Sequence, residues 1–182
     1  MKTRDDLPRF LNDRGLTGAG VEVGVCRGSF SLYILEKWYG YMLYSVDPWM
    51  HQANVDLDAS NVDQLTHEEN YNVTKERLRP YKRRSTILRK TSVDASKMVG
   101  AGVDFVYLDA RHDYRSVMED LRAWWPLVKR GGILSGHDYK NSFVRDNLVE
   151  VKRAVDNFGF EFGLKVESTT DDNLPSWYII KS

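Results

Sequence analysis

Two sets of residues in this chain have the types and spacing to do chemistry. The first is Glu22-Val23-Gly24-Val25-Cys26-Arg27-Gly28-Ser29, followed about one βα unit later by Asp47. An apolar strand runs into a glycine-bracketed turn, a helix opens near Ser29, and a second strand delivers a carboxylate. In an α/β sheet this builds a nucleoside pocket at the carboxyl ends of the first two strands. Gly24 and Gly28 let the backbone turn tightly against a ligand, and the helix start offers free N–H groups. Asp47 stands where a carboxylate can accept both ribose hydroxyl protons. The dinucleotide pattern G-x-G-x-x-G is absent, because position 26 is Cys.

The second set is Asp109, His112, His137 and Asp138. Asp109 ends an apolar strand and His137-Asp138 ends the next, so both belong to the sheet edge where open α/β folds do their chemistry. A carboxylate at the end of a buried strand is costly unless it is paired or ligates a cation. Asp109, His137 and Asp138 are therefore candidate ligands for Mg²⁺ or Mn²⁺, with capping by Asp138 as the alternative. Both His137 and Asp138 can face one ion only if the strand has ended before them, since successive strand residues point to opposite faces. His112 lies in the loop after Asp109. It is a candidate general base, with exposure or helix capping as its plainer roles, and Asp113 is a candidate N-cap.

The order Glu22-x-Gly24-x-x-x-Gly28, Asp47, Asp109 and Gly136-His137-Asp138-Tyr139 resembles the class I S-adenosylmethionine-dependent methyltransferases. It is most similar to the small methyltransferase family 24 group, whose relatives include metal-dependent sugar O-methyltransferases. The resemblance runs from about Val21 to the C-terminus. It implies a Rossmann-like three-layer sandwich with a seven-stranded, mostly parallel sheet and one antiparallel edge strand. It also implies S-adenosylmethionine as cofactor, with Glu22, Gly24, Cys26, Arg27, Gly28, Ser29, Asp47, Trp49, Ser92 and Asp109 around it. Asp109, His112 and His137 become the catalytic candidates for transfer to a small-molecule or sugar hydroxyl. In the sugar enzymes an aspartate and a following acidic pair bind the metal; here His137 replaces one acid, which suits Mn²⁺, Fe²⁺ or Zn²⁺ better than Mg²⁺.

Alternating elements must position these residues. The pattern predicts an N-terminal helix (4–14, within a lead segment 1–18) and strand 20–25. Helix 29–38 and strand 41–47 follow, and then a polar stretch 50–64 that is a candidate lid. Next come helix 65–79, strand 85–89, helix 93–99 and strand 103–109. Helix 113–128 is taken to end at Lys129-Arg130-Gly131-Gly132. Strand 132–137, helix 144–158 with Val144, Leu148, Val151, Val155 and Phe158 inward, and strands 160–167 and 176–181 complete the reading. One domain spanning 1–182 is expected.

The balance of composition narrows the function. Basic and acidic residues number 26 each, so no net field draws the chain to nucleic acid or membrane. One cysteine excludes an internal disulfide framework, and no signal peptide or membrane-length apolar run is visible, which predicts a cytoplasmic protein. Trp49 suits either the cofactor or the core, and Thr91-Ser92 either the adenine ring or a helix cap. Asp56-Leu57-Asp58-Ala59-Ser60 lacks the glycine of a calcium loop. The chain is short for the family, which leaves two expectations: a homodimer that supplies further walls, or an exposed acceptor. Two other classes compete: a non-catalytic cofactor- or partner-binding domain, which should have lost its pocket acids, and a nicotinamide-dependent reductase, which should carry the dinucleotide glycines.

Overall fold

The computed structural model describes residues 1–53, 58–144, 147–170 and 173–182. Asp56, Leu57 and the side chain of Val144, named above, fall outside the described residues, as do parts of the 50–64 stretch and of the connection between the two closing strands of the sequence reading.

Nine strands and six α-helices are present among these residues. A 3-10 turn at Arg4–Asp6 leads into α1 (Leu7–Asn12), then β1 (Ala19–Val23), α2 (Ser29–Lys37), β2 (Met42–Val46) and α3 (Gln64–Leu78). The chain continues through β3 (Ser85–Leu88), α4 (Ser92–Ser96), β4 (Val103–Leu108), α5 (Tyr114–Trp124) and β5 (Val128–Gly136). A hairpin, β6 (Ser142–Val144) and β7 (Asn147–Val149), precedes α6 (Val151–Phe162), β8 (Glu167–Ser168) and β9 (Trp177–Ile180).

The main sheet has seven strands in the order β3-β2-β1-β4-β5-β9-β8. Its first five strands are parallel, β9 is antiparallel to β5, and two-residue β8 pairs antiparallel outside it. Helices cover both faces, as a parallel sheet with apolar residues on both sides requires. On one face Leu7 and Leu11 of α1, Ile34 and Leu35 of α2 and Leu78 of α3 pack over Leu43, Phe105 and Ile133. On the other, Val117, Leu121 and Trp124 of α5 and Ala154, Val155 and Phe158 of α6 pack over Val21, Val106 and Leu134. This is the Rossmann-like sandwich the sequence implies.

Four boundaries differ most from the sequence reading. Helix α5 stops at Trp124, because Pro126 cannot donate into a continuing helix and a 3-10 turn at Trp125–Leu127 takes over. Strand β5 thus begins at Val128, and Lys129, read above as a helix-end cation, pairs instead with buried Asp104. Helix α6 starts at Val151 rather than 144, behind the hairpin. It runs through 160–162, where a strand was expected. The alternation Phe158-x-Phe160-x-Phe162 mimics a strand, yet Phe158 is fully buried while Phe160 is 92% exposed. Gly163, left-handed at φ 63°, ends that helix.

Candidate active site

Strand register decides which residues share the sheet edge. Val23 pairs with Val46 and with Leu108, and Leu108 pairs with Gly136. The next residue on each strand, Gly24, Asp47, Asp109 and His137, therefore emerges at the same carboxyl edge. Backbone bonds extend this alignment: Gly24 N to Val46 O (2.9 Å), Asp109 N to Val23 O (2.8 Å) and His137 N to Leu108 O (3.0 Å). Gly24 has φ +90°, and a Cβ there would stand 1.8 Å from the Asp109 carbonyl oxygen. Only glycine lets the two strand ends approach this closely.

A cavity of about 640 Å³ opens over this edge, in the size range of small-ligand sites. Gly24, Cys26 and Asp47 form one part of its wall, and Ser92, Asp109 and Asp120 line it as well. Asp47 is oriented by two backbone donors: Cys26 N to Oδ2 (2.9 Å) and Trp49 N to Oδ1 (2.7 Å). Burial pushes its pKa up, and these two N–H groups oppose the rise. Each oxygen keeps a further acceptor site for a ligand hydroxyl. The Cys26 thiol is pushed up by burial and by Asp47, which works against a thiolate.

Gly24, Cys26, Asp47, Ser92 and Asp109 thus line the cavity. Glu22, Arg27, Gly28, Ser29 and Trp49 stand outside its lining. Glu22 is buried beneath the turn and accepts from the Ser31 hydroxyl, which in turn lies 2.9 Å from Ser45 Oγ. Burial pushes the Glu22 pKa up to about 8. Arg27 reaches away to Glu69 (3.3 Å) and Asn70 (3.1 Å). Gly28 is the left-handed N-cap of α2 at φ 72°. Ser29 Oγ and the Arg27 carbonyl both accept from Arg77 Nη1 at 2.7 Å. Helix α3 therefore supplies the partner at the start of α2. Trp49 takes the core role: it is fully buried, packs on Tyr71 at 5.0 Å, and donates to Cys26 O (2.7 Å). Of the Thr91-Ser92 alternatives, Thr91 caps α4, and both residues line the cavity.

Beside Asp109 the acids and imidazoles form a chain. Asp58 Oδ2 lies 3.4 Å from His112 Nδ1, and His112 Nε2 lies 3.2 Å from Asp138 Oδ2. His137 Nδ1 is 3.4 Å from Asp138 and 3.8 Å from Asp109, whose other oxygen faces Arg4 Nη1 at 3.6 Å. Strand β5 ends at Gly136 and Asp138 adopts φ 51°, so His137 and Asp138 both turn toward Asp109. One ligand atom from each of Asp109, His137 and Asp138 lies within 4.8 Å of the others. Burial works against charge on His112, but the flanking Asp138 and Asp58 overcome it and push its pKa up to about 10. Despite their own burial, Asp138 and Asp58 are held low, the latter at about 2, with His112 beside both. Asp109 is pushed up by burial, with His137 opposing. The two flanking carboxylates favour the imidazolium form of His112, which works against a role as proton acceptor. Asp113 caps α5, accepting from Ser116 N at 3.0 Å.

Sequence reasoning passed over Asp120 and Arg4, and met Asp58 only as part of a rejected calcium loop. Asp120 carried a signal: it falls between Val117 and Trp124 on the apolar face of α5, where an acid is out of place. Arg4 carried none, since only folding brings the N-terminal turn to Asp109.

A family model described as a methyltransferase domain matches residues 21–139. No curated protein matches the sequence. Among solved structures, an O-methyltransferase from Bacillus cereus in complex with SAH superposes with a TM-score of 0.69 at 11% identity, over 97% of this chain and 80% of that one. An rRNA methylase from Streptococcus thermophilus gives 0.57 at 12% identity, over 90% and 85%. A precorrin 8w decarboxylase from Methanobacterium thermoautotrophicum gives 0.65 at 15%, over 98% and 89%. At such identities the likeness is one of fold, and fold does not choose among reactions.

Proposed function

Because the chain belongs to this methyltransferase-domain family, of the class I S-adenosylmethionine-dependent type, we propose that it moves the methyl group of S-adenosylmethionine to an oxygen of a small-molecule or sugar acceptor. One observation carries this reading. A single ligand-sized cavity has Asp47, with two fixed backbone donors, in its wall together with Asp109, the first member of the acid–imidazole chain.

In this reading Asp47 accepts from the ribose hydroxyls, and the Gly24–Cys26 turn gives the cofactor a wall without a side chain at position 24. The acceptor hydroxyl lies at Asp109 and His137. Its oxygen attacks the sulfonium methyl carbon, the C–S bond breaks, and S-adenosylhomocysteine leaves. The hydroxyl proton passes to the Asp109–His137 pair, since burial already favours protonation of Asp109. His112 acts by position, keeping Asp138 ionised. Asp109, His137 and Asp138 fit a divalent ion in donor number and type. When bound, such an ion would acidify the acceptor hydroxyl.

Calorimetric titration with S-adenosylhomocysteine tests the cofactor site. Binding by the parent protein is expected, weakened at least about tenfold in Asp47→Ala, which loses charge-assisted hydrogen bonds to the ribose. Absence of binding by the parent would overturn the reading.

A further inference from the structure

Helix α6 begins beside the acid–imidazole chain and binds both of the loops that carry it. The Glu150 N–H donates to the His112 carbonyl at 2.8 Å, and the Glu150 carboxylate accepts from Tyr114 N at 3.2 Å. On the other side, Lys152 N donates to the Lys140 carbonyl at 3.1 Å and Arg153 N to Asn141 Oδ1 at 3.0 Å. Both are N–H groups of the first helical turn, which have no partner within the helix. Lys152 and Asp156 stand one turn apart on the same face of α6, and both meet Tyr139. The Tyr139 hydroxyl donates to Asp156 Oδ1, and Lys152 Nζ lies 4.7 Å over the Tyr139 ring.

Asp138 precedes this anchored residue and adopts φ 51°, a backbone region that residues with a side chain seldom occupy and that persists where neighbours enforce it. Tyr139 is the enforcing neighbour. It is the central residue of a three-residue turn closed by Lys140 N to Asp138 O at 2.6 Å. Its own N–H donates to Pro175 O at 2.7 Å, and its ring end is held by α6. A return of Asp138 to extended backbone would pull Tyr139 from these partners. We propose that Tyr139, through its hydrogen bond to Asp156, is a positioning residue. It holds Asp138 where the carboxylate meets His112 and His137 and can share an ion with Asp109. The proposal rests on the reading of that cluster as the reaction centre.

The test is a crystal structure of metal-free Tyr139→Phe beside that of the parent, with calorimetric titration of both by Mn²⁺. Loss of the hydroxyl is expected to free the turn, so that Asp138 leaves its 3.2 Å contact with His112. Mn²⁺ affinity should then fall by at least about tenfold, the usual cost of removing a partner that orients a metal ligand. Asp156→Ala, at a half-exposed site, should reproduce both effects. Asp156→Asn keeps an acceptor for the Tyr139 hydroxyl and should retain the parental geometry. A purely structural Tyr139 would lower thermal stability with Asp138 in place. Asp138 unmoved in either folded variant, Tyr139→Phe or Asp156→Ala, overturns the inference. Failure of the parent to take up Mn²⁺ overturns the metal reading of the cluster instead, and the position of Asp138 in the variants still decides the role of Tyr139.

Discussion

The Nε2 of His112 lies 3.2 Å from Asp138 Oδ2, while its Nδ1 faces Asp58 at 3.4 Å. Carboxylates at both nitrogens favour the protonated form of a histidine. In metal-stripped protein, NMR titration should find His112 still charged at about pH 8, well above its ordinary value of 6.5, and Asp58→Asn should lower its pKa. The raised pKa adds stability that is fully present below 6.5 and lost as pH rises through about 10. Titration near 6.5 in the parent would refute the clamp.

The cluster of Asp109, His137 and Asp138 should take up Mn²⁺, read by calorimetry or electron paramagnetic resonance. Asp138→Asn and His137→Ala each remove a donor and should weaken binding by at least about tenfold. Unchanged affinity in both variants would place any bound ion elsewhere.

Gly24→Ala sets a methyl 1.8 Å from the Asp109 carbonyl oxygen at a φ of +90°. The β1 and β4 ends would have to part, at a cost of about 3 kcal/mol or more. Denaturant unfolding should show this loss, and S-adenosylhomocysteine binding should fall with it. A variant with parental stability would mean that the edge is looser than its geometry indicates.

Glu22, buried beneath the first turn, offers a second pH test. Its folded pKa, about 8, exceeds the ordinary 4.5 because burial disfavours the charge. Its contribution to stability is fully present below 4.5 and is lost as pH rises through about 8. Glu22→Gln keeps an acceptor for Ser31 and abolishes the ionisation. Above pH 8 the variant should be more stable than the parent by a few kcal/mol at most, on the order expected for a shift of this size. Parallel stability–pH curves for the two proteins would show that Glu22 does not titrate as its burial requires.

Much of the architecture is written locally. Strand β4 is apolar at nearly every position, α2 and α5 carry apolar stripes, and Gly24 and Gly28 mark turns that other residues resist. These signals rest on neighbours within a few residues, so the sequence by itself determined the seven-stranded α/β sheet, Asp47 at the second strand end, and Asp109, His137 and Asp138 as a potential cluster. The boundaries that failed did so where a local pattern had two readings, as in the Phe158–Phe162 alternation.

Side-chain direction and long-range company were decided only by the tertiary structure. Register placed Gly24, Asp47, Asp109 and His137 on one edge. The packing of α3 occupied Arg27 and Ser29, and burial turned Glu22 away from the cavity. Asp58 and Asp138, distant along the chain, met His112 and favour its protonated form. A residue type fixes which protons and charges it can carry; the field that selects among those states comes from groups that only the folded chain brings near.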